Sequence, residues 1–267
     1  MEARATRIGL SVWTVLVVLF LHLPLVIIVL YAFSASNVQG WPITDWTTKW
    51  FSPAIHDEAM QQALWLSLKA GALATVIALV LGTLAAFAVH RSRFFGRDVI
   101  SFVFVLPIAL PGILTGMALN SYFAFWGKGF TLWTIVIGHA TFCVVIVFNN
   151  VIARLRRVPG SLTEASMDLG ADGIQTFWHI TLPTISTALI SGGLLAFALS
   201  FDEVIVTTFT AGAQNTLPLW IFGNIRLGQE LPEVNVVVFL ILLVTIIPVT
   251  IAQRLTRESG ILRTDSE

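Results

Sequence analysis

A chain of 267 residues that is 56% hydrophobic and only 11% charged falls far below the roughly 25% charged content of soluble domains, which excludes an ordinary water-soluble fold. Its 15 basic and 15 acidic residues cancel and the basic ones are scattered, so no nucleic-acid footprint is present. The single cysteine, Cys143, lies in an apolar run, which excludes an intrachain disulfide and a thiolate metal cluster.

A membrane-spanning helix needs about 20 apolar residues. In chain order, such runs cover 8–33, 62–90, 99–122, 132–153, 184–211 and 234–253. Arg4 and Arg7 precede the first run, which is too long for a signal-peptide core and has no small-residue cleavage site after it, so it reads as a retained anchor. Pro24, Pro107, Pro111 and Pro248 interrupt the runs, as buried helices tolerate when neighbours satisfy the freed carbonyls. The expectation is an all-α membrane protein with six spans.

Positive charge collects on cytoplasmic flanks. One set of flanks holds Arg4, Arg7, Arg91, Arg93, Arg97, Arg154, Arg156, Arg157, Arg254, Arg257 and Arg263; the other holds only Lys49, Lys128 and Arg226. Lys69 lies within the second run, from which its long side chain can snorkel to the outer interface. This asymmetry predicts that both termini, the 154–183 segment and the 254–267 tail are cytoplasmic. An acidic, Trp-rich loop at 34–61 and a second loop at 212–233 then lie outside.

The segment between the fourth and fifth runs contains "EASMDLGADGIQTFWHITLP", residues 164–183. Ser161 and Glu164 have the spacing of a capping box, and Gly170 offers the left-handed residue that ends many helices. Asp172 can cap a second short helix, and Leu182-Pro183 leads into the fifth run. Two short helices joined at a sharp bend are expected. On local physics alone Glu164 reads as a capping residue. Thirty residues, however, far exceed the usual helix–helix connection of about 2–8, so the segment reads as a docking surface.

The pattern E-A-x, three residues, G, nine residues, I-x-L-P resembles the EAA loop of ABC-type importer permeases. Ser166 stands where that family usually has a second Ala. The resemblance implies a type I permease fold of six spans whose loop is a coupling helix, with Glu164, Ala165, Asp168, Gly170, Ala171, Ile180, Leu182 and Pro183 forming its ATPase-coupling surface. It further implies two copies of a separate ATPase carrying ATP and Mg, a second homologous permease, an extracytoplasmic solute-binding protein, and residence in a bacterial inner membrane. No G-x-x-x-x-G-K-[ST] phosphate loop occurs in the chain, so hydrolysis is expected on the partner, with no cofactor or enzyme activity here.

"LSFDEVIVTTFTAG" (199–212), "TLPLWIFGNIRLGQELPEVN" (216–235) and "TTKWF" (47–51) are similar to permeases of polyamine importers of the spermidine/putrescine type. A carboxylate within a span costs about 2.5–3.5 kcal/mol and needs a reason. Adjacent residues on a helix point about 100° apart, so Asp202 and Glu203 cannot share one wall. Along a continuous fifth helix Glu203 shares a stripe with Gly192, Ala196, Ser200, Thr207 and Thr210. That small, polar stripe is the expected pathway lining, with Glu203 as first choice for a cation ligand. Asp202 is expected to meet a partner helix or to stay protonated. Trp50 joins the set through the family match, and Trp220 reads either as part of an interfacial belt or as a cation box.

Alternatively the acidic pair bridges to Arg226 or a partner subunit. Polyamine permeases often carry an acid after a proline in the third span. "LPIALPGILTG" has Gly112 there, which points toward a smaller or less charged ligand such as putrescine or 4-aminobutyrate. His90 and His179 read as interfacial, and no metal site is expected. Other cargo such as iron or sugar, and a stand-alone secondary transporter or channel, remain as rivals.

Overall fold

The computed structural model describes residues 4–91, 99, 102, 106, 109–127 and 129–261. Its elements are α-helices: α1 Arg4–Ala32, α2 Phe51–His56, α3 Glu58–Arg91, α4 Gly112–Phe125, α5 Leu132–Leu155, α6 Ser161–Asp168, α7 Gly173–Thr176, α8 Leu182–Phe201, α9 Ile205–Thr210, α10 Leu217–Leu227 and α11 Leu231–Ile261. A π-helical turn, Phe177–Thr181, joins α7 to α8. Among the described residues four helices are long and apolar enough to cross a membrane: Thr6–Ala32, Glu58–His90, Leu132–Leu155 and Gly173–Phe201. Leu231–Ile246 is a shorter apolar stretch. Residues 100, 101, 103–105, 107 and 108 of the expected 99–122 span lie outside the described residues, as does the end of the expected 254–267 tail.

The chain divides into two compact units, Met1–Gln61 with Ile221–Glu267, and Gln62–Trp220. In the first, α1 and α2 both pack on α11. Phe33, Phe51 and Phe239 form an aromatic knot there, with centroids 5.2, 5.4 and 6.1 Å apart, inside the 4.5–7 Å range of favourable ring pairs. The rest of α1 is bare: Trp13 is 68% and Phe20 76% exposed. A helix that is apolar all round and unpacked belongs in hydrocarbon.

The second unit is organised by a ladder of small residues. On α3, Ala70, Ala74, Ala78, Gly82 and Ala86 recur every fourth position and all are buried. Small residues at that spacing let helix backbones approach closely without a hydrophobic driving force in lipid. The approach is close enough that a Cβ on Gly82 would lie 2.8 Å from the Val144 carbonyl oxygen. The α5 face opposite contributes Cys143, Val147, Val151 and Leu155 to the core, joined by Ile185 and Ala196 of α8. α5 and α8 run antiparallel, as the pairs Arg154–Thr184, Cys143–Ala196 and His139–Ser200 require.

Candidate functional site

Two polar interruptions in the second unit carry the chemistry. The first is the elbow between α5 and α8. The expected capping box of Ser161 and Glu164 does not form: α6 begins one residue earlier than that reading needs, with Gly160 as N-cap and no side-chain cap. Pro159 and Gly160 carbonyls already take the amides of Leu162, Thr163 and Glu164, so Ser161 sits inside the helix and the Glu164 side chain is left exposed.

The expected stop and restart are present. Gly170 has φ +87°; its amide donates to the Met167 carbonyl at 2.9 Å and the Ala171 amide to the Ser166 carbonyl at 3.1 Å, which is the Schellman pattern that ends a helix. Asp172 then caps α7, its Oδ1 accepting from the Gln175 amide at 2.7 Å while Gln175 Oε1 accepts from the Asp172 amide at 3.0 Å. The hydroxyls of Ser166 and Thr176 meet across the bend at 3.1 Å, with Thr176 buried. Ser166 in place of the family's usual Ala thus adds a staple between the two short helices.

The second short helix is not separate from the fifth span, as the sequence had led us to expect, but fused to it. Pro183 has no amide and its ring crowds the carbonyl four residues back. The chain widens into a π-helical turn instead of breaking, with the Leu182 amide donating to the Phe177 carbonyl. Arg154 Nε donates to the Thr184 carbonyl at 2.9 Å and ties this junction to the end of α5.

Of the residues assigned to coupling, Glu164, Ala165, Asp168, Gly170 and Pro183 are exposed, while Ala171, Ile180 and Leu182 are half-buried. Apolar side chains also project: Leu169 is 90% and Ile174 72% exposed, with Trp178 at 59%. Beneath the elbow is a cavity of about 240 Å³ bounded by Phe87, Leu155, Glu164, Ile180 and Ile185.

The second interruption overturns an expectation. The fifth span is not continuous over 184–211: α8 ends at Phe201, Asp202 leaves the helix with ψ near 1°, and α9 starts at Ile205. The chain breaks where the carboxylates are because the break supplies donors for one of them. Glu203 Oε1 accepts the Val206 amide at 2.8 Å, at the positive end of α9. Asp202 is exposed and Glu203 half-buried.

The stripe expected to line a pathway is instead a packed helix interface. Ser200 and Thr207 are 3% and 0% exposed, and both bond to His139 of α5, Ser200 Oγ to Nδ1 at 2.7 Å and Thr207 Oγ1 to Nε2 at 2.8 Å. Gly192 and Ala196 lie on the same buried face, Gly192 against Asn150 and Val147. Trp220 is likewise buried, at 6%. Gly112, at the start of α4, faces α9, a Cβ there lying 3.7–3.8 Å from Ile205.

Trp50 belongs to the other unit and closes its loop. Its Nε1 donates to the Ser34 carbonyl at 2.9 Å, and Lys49 Nζ lies 4.3 Å from its ring centroid while donating to the Ala35 carbonyl at 3.2 Å. Sequence reasoning missed His139. The signal was available: Ser200 and Thr207 are seven residues apart, two helical turns, and a histidine inside an apolar span needs partners.

Several long apolar helices, interrupted by an elbow with projecting apolar residues and by a break bearing two carboxylates, define a multi-pass membrane protein. Residues 78–257 match the family described as "Binding-protein-dependent transport system inner membrane component", and the chain belongs to that family. It is 37% identical over 245 residues to a putrescine transport system permease protein of Escherichia coli strain K12, covering 87% of this chain and 86% of the relative. It is 30% identical over 244 residues to a spermidine/putrescine transport system permease protein of the same strain, covering 90% of each. Its fold is similar to that of a bacterial ABC transporter involved in import of the acidic polysaccharide alginate, with TM-score 0.68, 20% identity, and 97% and 98% of the two chains covered.

Proposed function

We propose that this chain is half of the membrane pathway of an ATP-driven importer for a small organic cation, a diamine of the putrescine type in first place. A second homologous permease completes the pathway in a bacterial inner membrane, with both termini and the elbow cytoplasmic. Two copies of a separate ATPase, carrying ATP and Mg, dock on the elbow. An extracytoplasmic binding protein delivers cargo to the 34–61 and 212–233 loops.

The observation that carries this reading is the elbow itself. Its backbone is satisfied internally by caps, while Leu169, Ile174 and Trp178 project. Such side chains gain about 1.5–3 kcal/mol each when a partner buries them. ATP binding in the ATPases would pull this rigid elbow, and α8 would carry the motion to the break, the differential free energy coming from nucleotide contacts. Asp202 and Glu203 supply negative charge there, and the named cargo of the two relatives is cationic. Gly112 adds no third carboxylate beside α9, which favours a diamine over a triamine.

The test replaces Gly170 with Asp. A side chain at φ +87° costs about 1–2 kcal/mol of strain and turns the tip. The expected result is loss of ATPase co-purification and of putrescine uptake together. Normal values of both would refute docking at the elbow.

A further inference from the structure

His139 is 1% exposed, and neither docking at the elbow nor charge at the break accounts for it. A polar ring inside a hydrocarbon-embedded bundle is retained for its partners. Those partners straddle the break. Ser200 lies two residues before Asp202, and Thr207 four residues after Glu203, so one imidazole ties the end of α8 and the first turn of α9 to the same point on α5.

The directions of the bonds follow from the donors available. Thr207 Oγ1 donates its hydrogen to the Glu203 carbonyl, so it can only accept from His139 Nε2–H; Nδ1 is then the acceptor for Ser200 Oγ–H. The chain Ser200–His139–Thr207–Glu203 ends on the backbone of the residue whose carboxylate caps Val206. An apolar ring of similar size would fill the space. It would also leave the buried Ser200 hydroxyl without its acceptor, Thr207 Oγ1 without the donor it accepts from, and the three residues of the break untethered to α5.

We infer that His139 is a positioning residue: it holds the Asp202–Glu203 pair in the geometry that the cationic cargo meets. This rests on the proposed role of the acidic pair. It adds a residue 61 and 68 positions from its partners in sequence, one that touches no cargo itself.

The test uses the full importer, co-expressed with its ATPase, second permease and binding protein and reconstituted in proteoliposomes, with radiolabelled putrescine as probe. Three variants are compared: His139→Phe, which keeps volume without hydrogen bonds; His139→Gln, which keeps one donor and one acceptor; and Thr207→Val. The Phe and Val variants should raise the half-saturating putrescine concentration by about tenfold with a much smaller change in maximal rate, and Gln should recover most of the shift, the split expected when a binding geometry is lost.

Equal loss of maximal rate in Phe and Gln with unchanged half-saturation would mark His139 as packing only and overturn the inference, as would wild-type kinetics in Phe. If neither His139 variant assembles, Thr207→Val decides alone: a shift supports the role and its absence refutes it. Asp202→Asn combined with Glu203→Gln is the control. Should that double variant transport normally, the acidic pair is off the route and both readings fall. Should it lose uptake while His139→Phe does not, positioning alone fails.

Discussion

The elbow at 154–183 and the break at 202–204 are both polar interruptions of an apolar chain, and both place an acid beside a short helix, yet they are built in opposite ways. In the elbow the backbone is satisfied within about a dozen residues, by Gly170, Asp172 and Gln175, and apolar side chains point away. At the break the freed backbone is also met locally, the Val206 amide by Glu203 Oε1 and the Glu203 carbonyl by Thr207 Oγ1, but the flanking hydroxyls of Ser200 and Thr207, 3% and 0% exposed, are held by a histidine 61 and 68 residues off. A loop in water can leave groups to solvent, so local caps suffice to shape it. Hydroxyls buried between helices have no solvent and must be met by the protein, so the tie that fixes the break comes from a distant element. The inward region therefore answers to the whole fold, and the outward one mainly to its own sequence.

The sharpest way to break this contrast is Glu203→Gln. The amide oxygen can still take the Val206 amide, so the break should persist, while the charge is gone; charged hydrogen bonds contribute about 1.5–3 kcal/mol, so putrescine uptake at low concentration should fall by about ten- to a hundredfold. Uptake at wild-type level would detach the break from cargo.

Next in size is Leu169→Asp at the tip of the elbow. Leu169 is 90% exposed, so helix content by circular dichroism should not change, while ATPase retained in a pull-down should drop about tenfold, given about 1.5–3 kcal/mol for a buried leucine. Full retention would move the docking surface elsewhere.

Asp172→Ala removes the α7 cap at a cost of about 1 kcal/mol, and amides near 173–176 should exchange with solvent about fivefold faster by mass spectrometry. Smallest is Ser166→Ala, which deletes one part-buried staple to Thr176. The same amides should exchange only a few times faster, near the low end of about 0.5–1.5 kcal/mol for a neutral hydrogen bond, with uptake within about twofold. A larger transport effect than exchange effect would mean the hydroxyl itself meets the ATPase.

What could be read from the sequence follows the same division. The helix end at Gly170 and the cap at Asp172 were visible because caps are local, with donors and acceptors three to five residues apart. The start of α6 was misplaced because Ser161 has the chemistry of a cap while Pro159 and Gly160 had already supplied the carbonyls. The break was invisible to hydropathy, since "VIVTTFTA" keeps the run apolar beyond Glu203. The tie across it is a histidine on another helix. Treating 184–211 as one rod then put Ser200 and Thr207 on a pathway wall, when they seal α8 and α9 to α5. The alanine and glycine ladder on α3 went unread, because small residues in an apolar run carry no signal until the Gly82–Val144 approach gives them meaning.

The fusion of α7, the π-helical turn and α8 into one stretch, Gly173–Phe201 of 29 residues, sets how movement scales. At 1.5 Å per residue such a stretch is about 43 Å long, so a pivot of about 5° at the elbow sweeps its far end by about 4 Å, roughly the width of a methylene chain. Under the proposed docking and cargo, a swivel too slight to unseat the motor would be enough to open or pinch a passage for an unbranched amine.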